Sequence, residues 1–507
     1  MLYPGERMTE GLVSADWLVV GGYTGLTLWL GWFLGRRQTS TREYFVGDRR
    51  LHPVAVGVSL FATLVSTVSY LSVPGETLGR GPVLLVQLLA LPLVYWVVGH
   101  GLLPAYMKHR VTSAYELLEV RLGAGTRLLG ASMFILLRLA WMSLVVYAAA
   151  VALTVMTGAG PGATPVFVLF TAAVAVAYTS LGGLRAVIVT DCVQSLLLFG
   201  GALLVLGIVT AELGGVSWFP TSWRDNWDSQ PLFSLNPATR VTAFGTVVST
   251  MVWYVATAGG DQVSIQRFMA TKDLAAARRA FRTQLVAIAG VTIVLALVGA
   301  ALLGYFEAFP ERLAEGMSLR RDADQVFPLF IAHRLPTGIA GLVVAAMFAA
   351  AMSSVDSGVN SISAVVLTDF AGRARRFPQD EAGRLRLARW LAAGAGGLIV
   401  VGSFLMDLIP GNITEVTSKT SNLLTAPIFG LFVFALFLRR VRFLGAVTGT
   451  LAGIVAAALV AFSGPIFGFD PATGGDPVSF QWVAATSLVV QVAVGWTVSA
   501  VFEPEVR

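Results

Sequence analysis

Residues 349–363 read AAAMSSVDSGVNSIS. The alanines and the methionine continue a long apolar run, and Ser353, Ser354, Asp356 and Ser357 then arrive within five positions. A helix rising about 1.5 Å per residue needs roughly 20 apolar residues to cross a bilayer core of about 30 Å. At that depth hydroxyls and a carboxylate are tolerated where they face protein or a water-filled cavity. Ser353 and Ser354 set two hydroxyl oxygens side by side, with the Ala350 carbonyl one turn earlier. Oxygen ligands of this kind suit a hard cation such as sodium. The competing reading is a stripe of Ala and Ser that lets two helices approach closely. The segment alone leaves both open.

Apolar runs of similar length recur along all 507 residues. Charged residues make up 13% of the chain and hydrophobic ones 56%, against about 25% charged in a soluble domain. The expected fold class is therefore an all-α polytopic membrane protein. Thirteen spans are expected. A leading helix lies near 16–34. Ten core helices follow near 53–73, 82–106, 127–156, 164–181, 186–211, 240–259, 283–305, 337–358, 388–406 and 414–438, and two trailing helices near 443–463 and 480–502.

Basic residues cluster in GRRQTSTREYFVGDRR, MKHR, RRAFR, RARRFPQDEAGRLRLAR and RRVR, all on one face; the loops of the other face are poorer in them, apart from Arg320 and Arg321. By the positive-inside rule the N-terminus is outside and the C-terminus in the cytoplasm. The net charge of +6 is then a topology signal and not a nucleic-acid footprint. A multi-pass protein of a bacterial inner membrane is expected. The opening segment MLYPGERMTEGLVSAD is polar and not basic, so no cleavable signal is expected. The single cysteine, Cys192, allows no internal disulfide. No GxxxxGK[ST] phosphate loop and no HExxH pair occurs, which argues against an ATP-driven pump and a zinc protease. The expected protein is not an enzyme and uses no organic cofactor.

Other polar groups lie at membrane depth. VGVSLFATLVSTVSYLSVPGE (56–76) carries Ser59, Thr63, Ser66, Thr67, Ser69 and Ser72, with Pro74–Gly75 expected to end the span. Such hydroxyls commonly bond back to their own helix or pack between helices. Their density also suits a helix that unwinds at the midplane, where freed carbonyls ligate a cation. Asp191, in GGLRAVIVTDCVQSLL, either has a function within the membrane or pairs with an arginine at the cytoplasmic interface. Arg138, in FILLRLAWMSLVVY, either clamps a substrate carboxylate or snorkels to the cytoplasmic face. Glu415 and Lys419, in NITEVTSKTSNLLTAP, either line an outer vestibule or pair with each other at i,i+4.

Five motifs in register resemble the sodium:solute symporter family, which includes the sodium/glucose transporters. REYFVGDRRLHPVAVGVSLFATLVSTVSYLSVPGE leads into the first core helix, VTSAYELLEVRLG follows the second, and YTSLGGLRAVIVTDCVQ crosses the fourth and fifth. GGDQVSIQRFMATKDLAAARRA follows the sixth, and GLVVAAMFAAAMSSVDSGVNSISAVVLTDF is the eighth. The resemblance covers nearly the whole chain. It implies a LeuT-type fold whose core is two inverted repeats of five helices, at 51–211 and 240–438. Residues 1–50 hold the leading helix and first cytoplasmic loop, 212–239 an extracytoplasmic loop, and 439–507 the two trailing helices. The first and sixth core helices are expected to be broken near the midplane, with solute bound there.

The resemblance also implies site residues. Sodium, the coupling ion, would be held by the Ala62, Val65 and Ala350 carbonyls and the Ser353 and Ser354 hydroxyls. Some members hold a second sodium at a fifth-helix aspartate; Asp191, Ser353 and Ser357 stand at those positions, while Asp356 replaces a hydroxyl residue. Ser66, Ser69, Gln87, Tyr254 and Thr257 would face the solute, with Arg138 nearby. Val68 and Ser69 replace the Glu–Gln pair of the sugar-transporting bacterial members, and the wording of GGDQVSIQR and TSAYELLEVRLG is closer to the monocarboxylate, multivitamin and iodide branch.

The implied function is sodium-coupled symport of a small organic anion, such as a monocarboxylate, by alternating access. The implied partners are the solute and the lipid bilayer, without nucleic acid. Rival readings are a proton-coupled symporter using Asp191 or Asp356, and a sodium/sugar or sodium/amino-acid symporter. A solute-sensing receptor is disfavoured by a chain ending at FEPEVR with no signalling domain, and an ion channel by the five-plus-five layout.

Overall fold

The computed structural model describes residues 12–36, 40–49, 51–109, 111–229, 231–373, 377–406, 413–469 and 475–502. The opening segment 1–11, the loop arginines Arg37, Arg50, Arg110, Arg375 and Arg376, the final residues 503–507 and the side chain of Glu415 lie outside the described residues.

Among the described residues every regular element is a helix. α1 (Ser14–Gly35) and the short α2 (Thr41–Val46) lead into a bent pair, α3 (Pro53–Leu64) and α4 (Thr67–Arg80). α5 (Pro82–His109), α6 (Glu116–Leu122), α7 (Ala124–Thr157), α8 (Thr164–Ser180) and α9 (Gly182–Glu212) follow. After a loop come α10 (Ala243–Gly260), α11 (Gln262–Met269), α12 (Leu274–Ala308), α13 (Ala323–Arg334), α14 (Ile339–Phe370), α15 (Glu381–Leu405) and α16 (Ile413–Leu436). α17 (Phe443–Ala461) and α18 (Phe480–Phe502) trail.

Among the described residues, ten helices are long and apolar enough to span a membrane, or eleven when the α3–α4 pair, bent by 65°, counts as one. Two of the thirteen expected spans fall short of that measure. α8 is a shorter apolar helix. In α10, Thr246, Ser249, Thr250, Trp253 and Tyr254 interleave the apolar residues because they line a cavity.

The breaks have local causes. Val65 (φ −94°, ψ 94°) and Ser66 (φ −96°, ψ 179°) are extended, and Ser66 stands at the N-cap position of α4, where serine is favoured. The span does not end at Pro74–Gly75 as expected: α4 continues through Pro74 to Arg80. Proline inside a membrane helix is tolerated where neighbouring helices accommodate the freed backbone, and here α12 packs directly against it. The second break is Asp261 (φ −93°, ψ 123°), which follows Gly259–Gly260 and caps α11 by accepting the Val263 N–H at 2.9 Å. Gly183, at φ 56° and ψ −172°, lets α9 leave α8 without an intervening loop.

α14 is the central helix. Every residue from Val343 to Val365 is buried, against α9, α7, α1, α15 and α3. A helix enclosed on all sides has no lipid face to reserve for apolar side chains, so AAAMSSVDSGVNSIS can carry hydroxyls all round. α12 holds both halves of the bent span: a Cβ at Gly57 would overlap the Ala280 carbonyl oxygen, and one at Gly299 the Pro74 carbonyl oxygen. Gly299→Val is therefore expected to destabilise the protein by about 1–3 kcal/mol through overpacking, visible as a lowered Tm in detergent.

Candidate functional site

α3 ends at Leu64, so the carbonyls of Ala62 and Thr63 lack the donors that a continuing helix would supply. Serine hydroxyls of α14 take their place. Ser353 Oγ donates to Ala62 O at 2.8 Å and lies 3.1 Å from Ala350 O. Ser354 Oγ donates to Thr63 O at 3.1 Å and lies 3.5 Å from Ala350 O. Neutral oxygens of two helices thus converge at the break. The Thr63 carbonyl lies in the same set, and Val65, whose backbone forms the break, lines the adjoining cavity. The sequence reading did not single out the Thr63 carbonyl, because nothing in composition distinguishes neighbouring carbonyls at a helix end.

One turn further along α14 lies a second polar cluster, centred on Arg267 of α11. Its Nε donates to Ser59 Oγ at 2.8 Å, and its Nη2 donates to Ser357 Oγ at 2.5 Å and faces Asp191 Oδ2 at 3.4 Å. Ser59 Oγ donates to the same Asp191 oxygen at 2.5 Å. Thr63 Oγ1 lies 2.9 Å from Ser357 Oγ, so Thr63 touches both clusters. Asp356 accepts from Tyr178 Oη at 2.5 Å and Ser357 Oγ at 3.1 Å. These residues are buried, and buried charges persist when paired and hydrogen-bonded. Asp191 and Ser357 therefore meet, but around a guanidinium. The partner of Asp191 is an arginine, as one of the two readings held, yet it lies in the protein interior and 76 residues away.

Above the break opens a cavity of about 240 Å³. Ser69, Gln87 and Tyr254 line it. So do Asn422 of α16 and Phe480 and Gln481 of α18. The polar run NITEVTSKTSNLLTAP hinted at the first of these, and nothing in the sequence hinted at the last two. Ser66 and Thr257 are buried, and their hydroxyls have no hydrogen-bond partner among the described residues. Thr257 lines a smaller recess beside the cavity, with Arg138, Trp141, Trp253 and Asp261. There Arg138 Nη2 pairs with Asp261 Oδ2. Arg138 is buried and points into the protein, which excludes snorkelling; its Nε has no partner among the described residues.

The cavity faces the end of the bundle that carries Glu76 and Arg240. Arg240 donates to both Glu76 oxygens, at 2.7 and 2.9 Å, and to Asp228 at 3.2 Å. Lys419 pairs with Asp476. α11, whose eight residues are all buried, lies on the other side of the break, tied to the α2, α3 and α14 segments.

The sequence pattern of the sodium:solute symporter family matches residues 44–453. This chain belongs to that family. As a sodium:solute symporter it is a multi-pass membrane protein that couples solute movement to sodium, and it is not an enzyme. It is 29% identical to the sodium/sialic acid symporter SiaT of Proteus mirabilis, over 87% of this chain and 88% of that one. It is 26% identical to the human sodium-coupled monocarboxylate transporter 1, over 90% of this chain and 73% of that one. The fold is LeuT-like. It superposes with a TM-score of 0.82, at 25% identity and over 97% of this chain and 98% of the other, on a solved structure described as the substrate-bound outward-open state of a Na+-coupled sialic acid symporter.

Proposed function

We propose that this sodium:solute symporter carries a small organic acid with one sodium ion, through thirteen spans with the N-terminus outside, in a bacterial inner membrane. Its two inverted repeats are 51–211 and 240–438. The observation that carries the reading is Arg138: a buried guanidinium in the recess beside the cavity, whose Nη2 pairs with Asp261 and whose Nε has no partner among the described residues. A solute carboxylate can accept from that Nε, or take the whole Nε–Nη2 edge in place of Asp261. Ser66, Ser69, Gln87, Tyr254 and Thr257 supply the remaining polar contacts. The relatives named for sialic acid and for monocarboxylates support an acidic cargo.

Sodium is drawn to the oxygens of Ala62, Val65, Ala350, Ser353 and Ser354, with Thr63 added. Ligation there replaces hydroxyl–carbonyl bonds between α3 and α14 by shared contacts to one cation. It thereby orders the break that forms the cavity floor. Glu76 and Arg240 mark the outer side under this topology, so the open cavity is the outward-facing state. Sodium favours that state only by binding it more tightly than the inward one. The Asp191–Ser357 pair already holds a cation, the Arg267 guanidinium, which supports one sodium per solute.

One sodium with one monovalent anion moves no net charge. A neutral solute carried with sodium would instead gain about 2.3 kcal/mol per 100 mV. Purified protein in liposomes is expected to accumulate labelled carboxylated solutes in a sodium gradient, at a ratio of one, without response to an imposed membrane potential. Equal uptake in potassium, or uptake driven by a pH gradient alone, would overturn the reading.

A further inference from the structure

α10 and α11 are consecutive helices joined by a single extended residue, Asp261. Its Oδ1 accepts the Val263 N–H at 2.9 Å and so starts α11. Its Oδ2 pairs with Arg138 on α7. The recess around the pair shares Leu64, Trp141, Trp253 and Ser421 with the solute cavity. Asp261 thus has one oxygen on α11 and the other on the arginine in the recess beside the cavity.

The rest of α11 is fastened by its polar side chains. Gln262 Nε2 donates to Thr112 O at 2.8 Å, and its Oε1 accepts from Ala114 N at 2.7 Å. Gln266 Nε2 donates to Phe45 O at 2.6 Å and Asn360 Oδ1 at 3.0 Å, while its Oε1 accepts from Ser361 Oγ at 2.7 Å. Arg267 holds Ser59 and Ser357. α11 is therefore a plug tied to α2, α3, α14 and the segment before α6. The bond from Asp261 to Arg138 is its tie toward the solute.

We propose that Asp261 stands in for the solute carboxylate on Arg138 and so makes inward opening conditional on solute. This rests on the reading of Arg138 as the partner of that carboxylate. Without solute, Arg138 holds Asp261 and, through the Val263 cap, the first turn of α11. The plug then stays docked even when sodium is bound. A solute carboxylate brings a second negative charge to the same guanidinium. The two carboxylates repel each other and share one partner, so the tie to α11 slackens and the plug is released. Sodium alone leaves the tie intact, and the gradient does not leak.

The test is the efflux of radioactive sodium from proteoliposomes containing no solute. Asp261→Asn and Arg138→Gln are each expected to raise this solute-free flux about tenfold, within the usual range of coupling between sites. A single variant leaves one buried charge unpaired and risks misfolding. The double variant Asp261→Asn/Arg138→Gln removes both charges, and it is expected to leak as much as either single one, because the same tie is cut. Variants whose Tm still rises in sodium chloride over potassium chloride, yet which leak no more than the parent, would overturn the proposal. The carboxylate reading is judged separately, because the leak assay contains no solute. Leaky variants together with a parent protein whose sodium flux no carboxylated solute alters would overturn the stand-in role through Arg138.

Discussion

Ser354→Ala is expected to raise the sodium concentration for half-maximal uptake by about tenfold or more. The Ser354 hydroxyl meets both the Thr63 and Ala350 carbonyls, so its removal takes away one oxygen and leaves Thr63 O without its donor. A buried hydrogen-bonding group of this kind is worth about 1–3 kcal/mol, and 1.4 kcal/mol is a factor of ten in affinity. Folding is expected to survive, because α14 remains enclosed by apolar contacts on every side and alanine fits where serine did. Two measurements check this. The sodium dependence of uptake should shift to higher concentration, and the extra Tm in sodium chloride over potassium chloride should shrink, since a ligand that binds the folded state stabilises it by mass action. An unchanged sodium dependence would remove Ser354 from the site. Ser353→Ala should act alike through Ala62.

Arg138→Gln is expected to lower uptake of a carboxylated solute about a hundredfold while sodium still raises the Tm. The substitution removes the charge that a carboxylate would meet, and a hydrogen bond to a charged group contributes about 1.5–3 kcal/mol. It also leaves Asp261 buried without its partner, which costs stability of its own. Adding Asp261→Asn separates the two effects: stability should recover, and uptake should not. Arg138→Lys should recover only part of the transport, because an ammonium is a point charge and lacks the planar fork. The decisive readout is the solute-induced rise in Tm, which should vanish in Arg138→Gln. A variant that still binds a carboxylated solute with parental affinity would move the binding edge elsewhere in the cavity.

Much of this protein was legible along the chain. Its membrane class followed from 56% hydrophobic residues in runs of spanning length, because crossing a bilayer is a local requirement on each segment. The first helix break was legible as local chemistry too, in the hydroxyl residues around Val65–Ser66; a break in the sixth core helix was implied only by the family resemblance, and its place at Asp261 came from the structure. Ser353 and Ser354 stood out because hydroxyls in an apolar run are unusual, and the packing of α14 against α3 then gave them carbonyl partners.

What the tertiary structure alone decided is which buried charges meet. Asp191 finds Arg267 and Arg138 finds Asp261, and the part-buried Lys419 finds Asp476. Phe480 and Gln481 of a trailing helix reach the mouth of a cavity built by the core. Hydrophobicity, capping and helix breaking act between residues a turn or so apart, so they are written in the order of the residues. The pairing of buried charges acts between helices, and its outcome depends on how those helices pack, which no stretch of the chain records by itself.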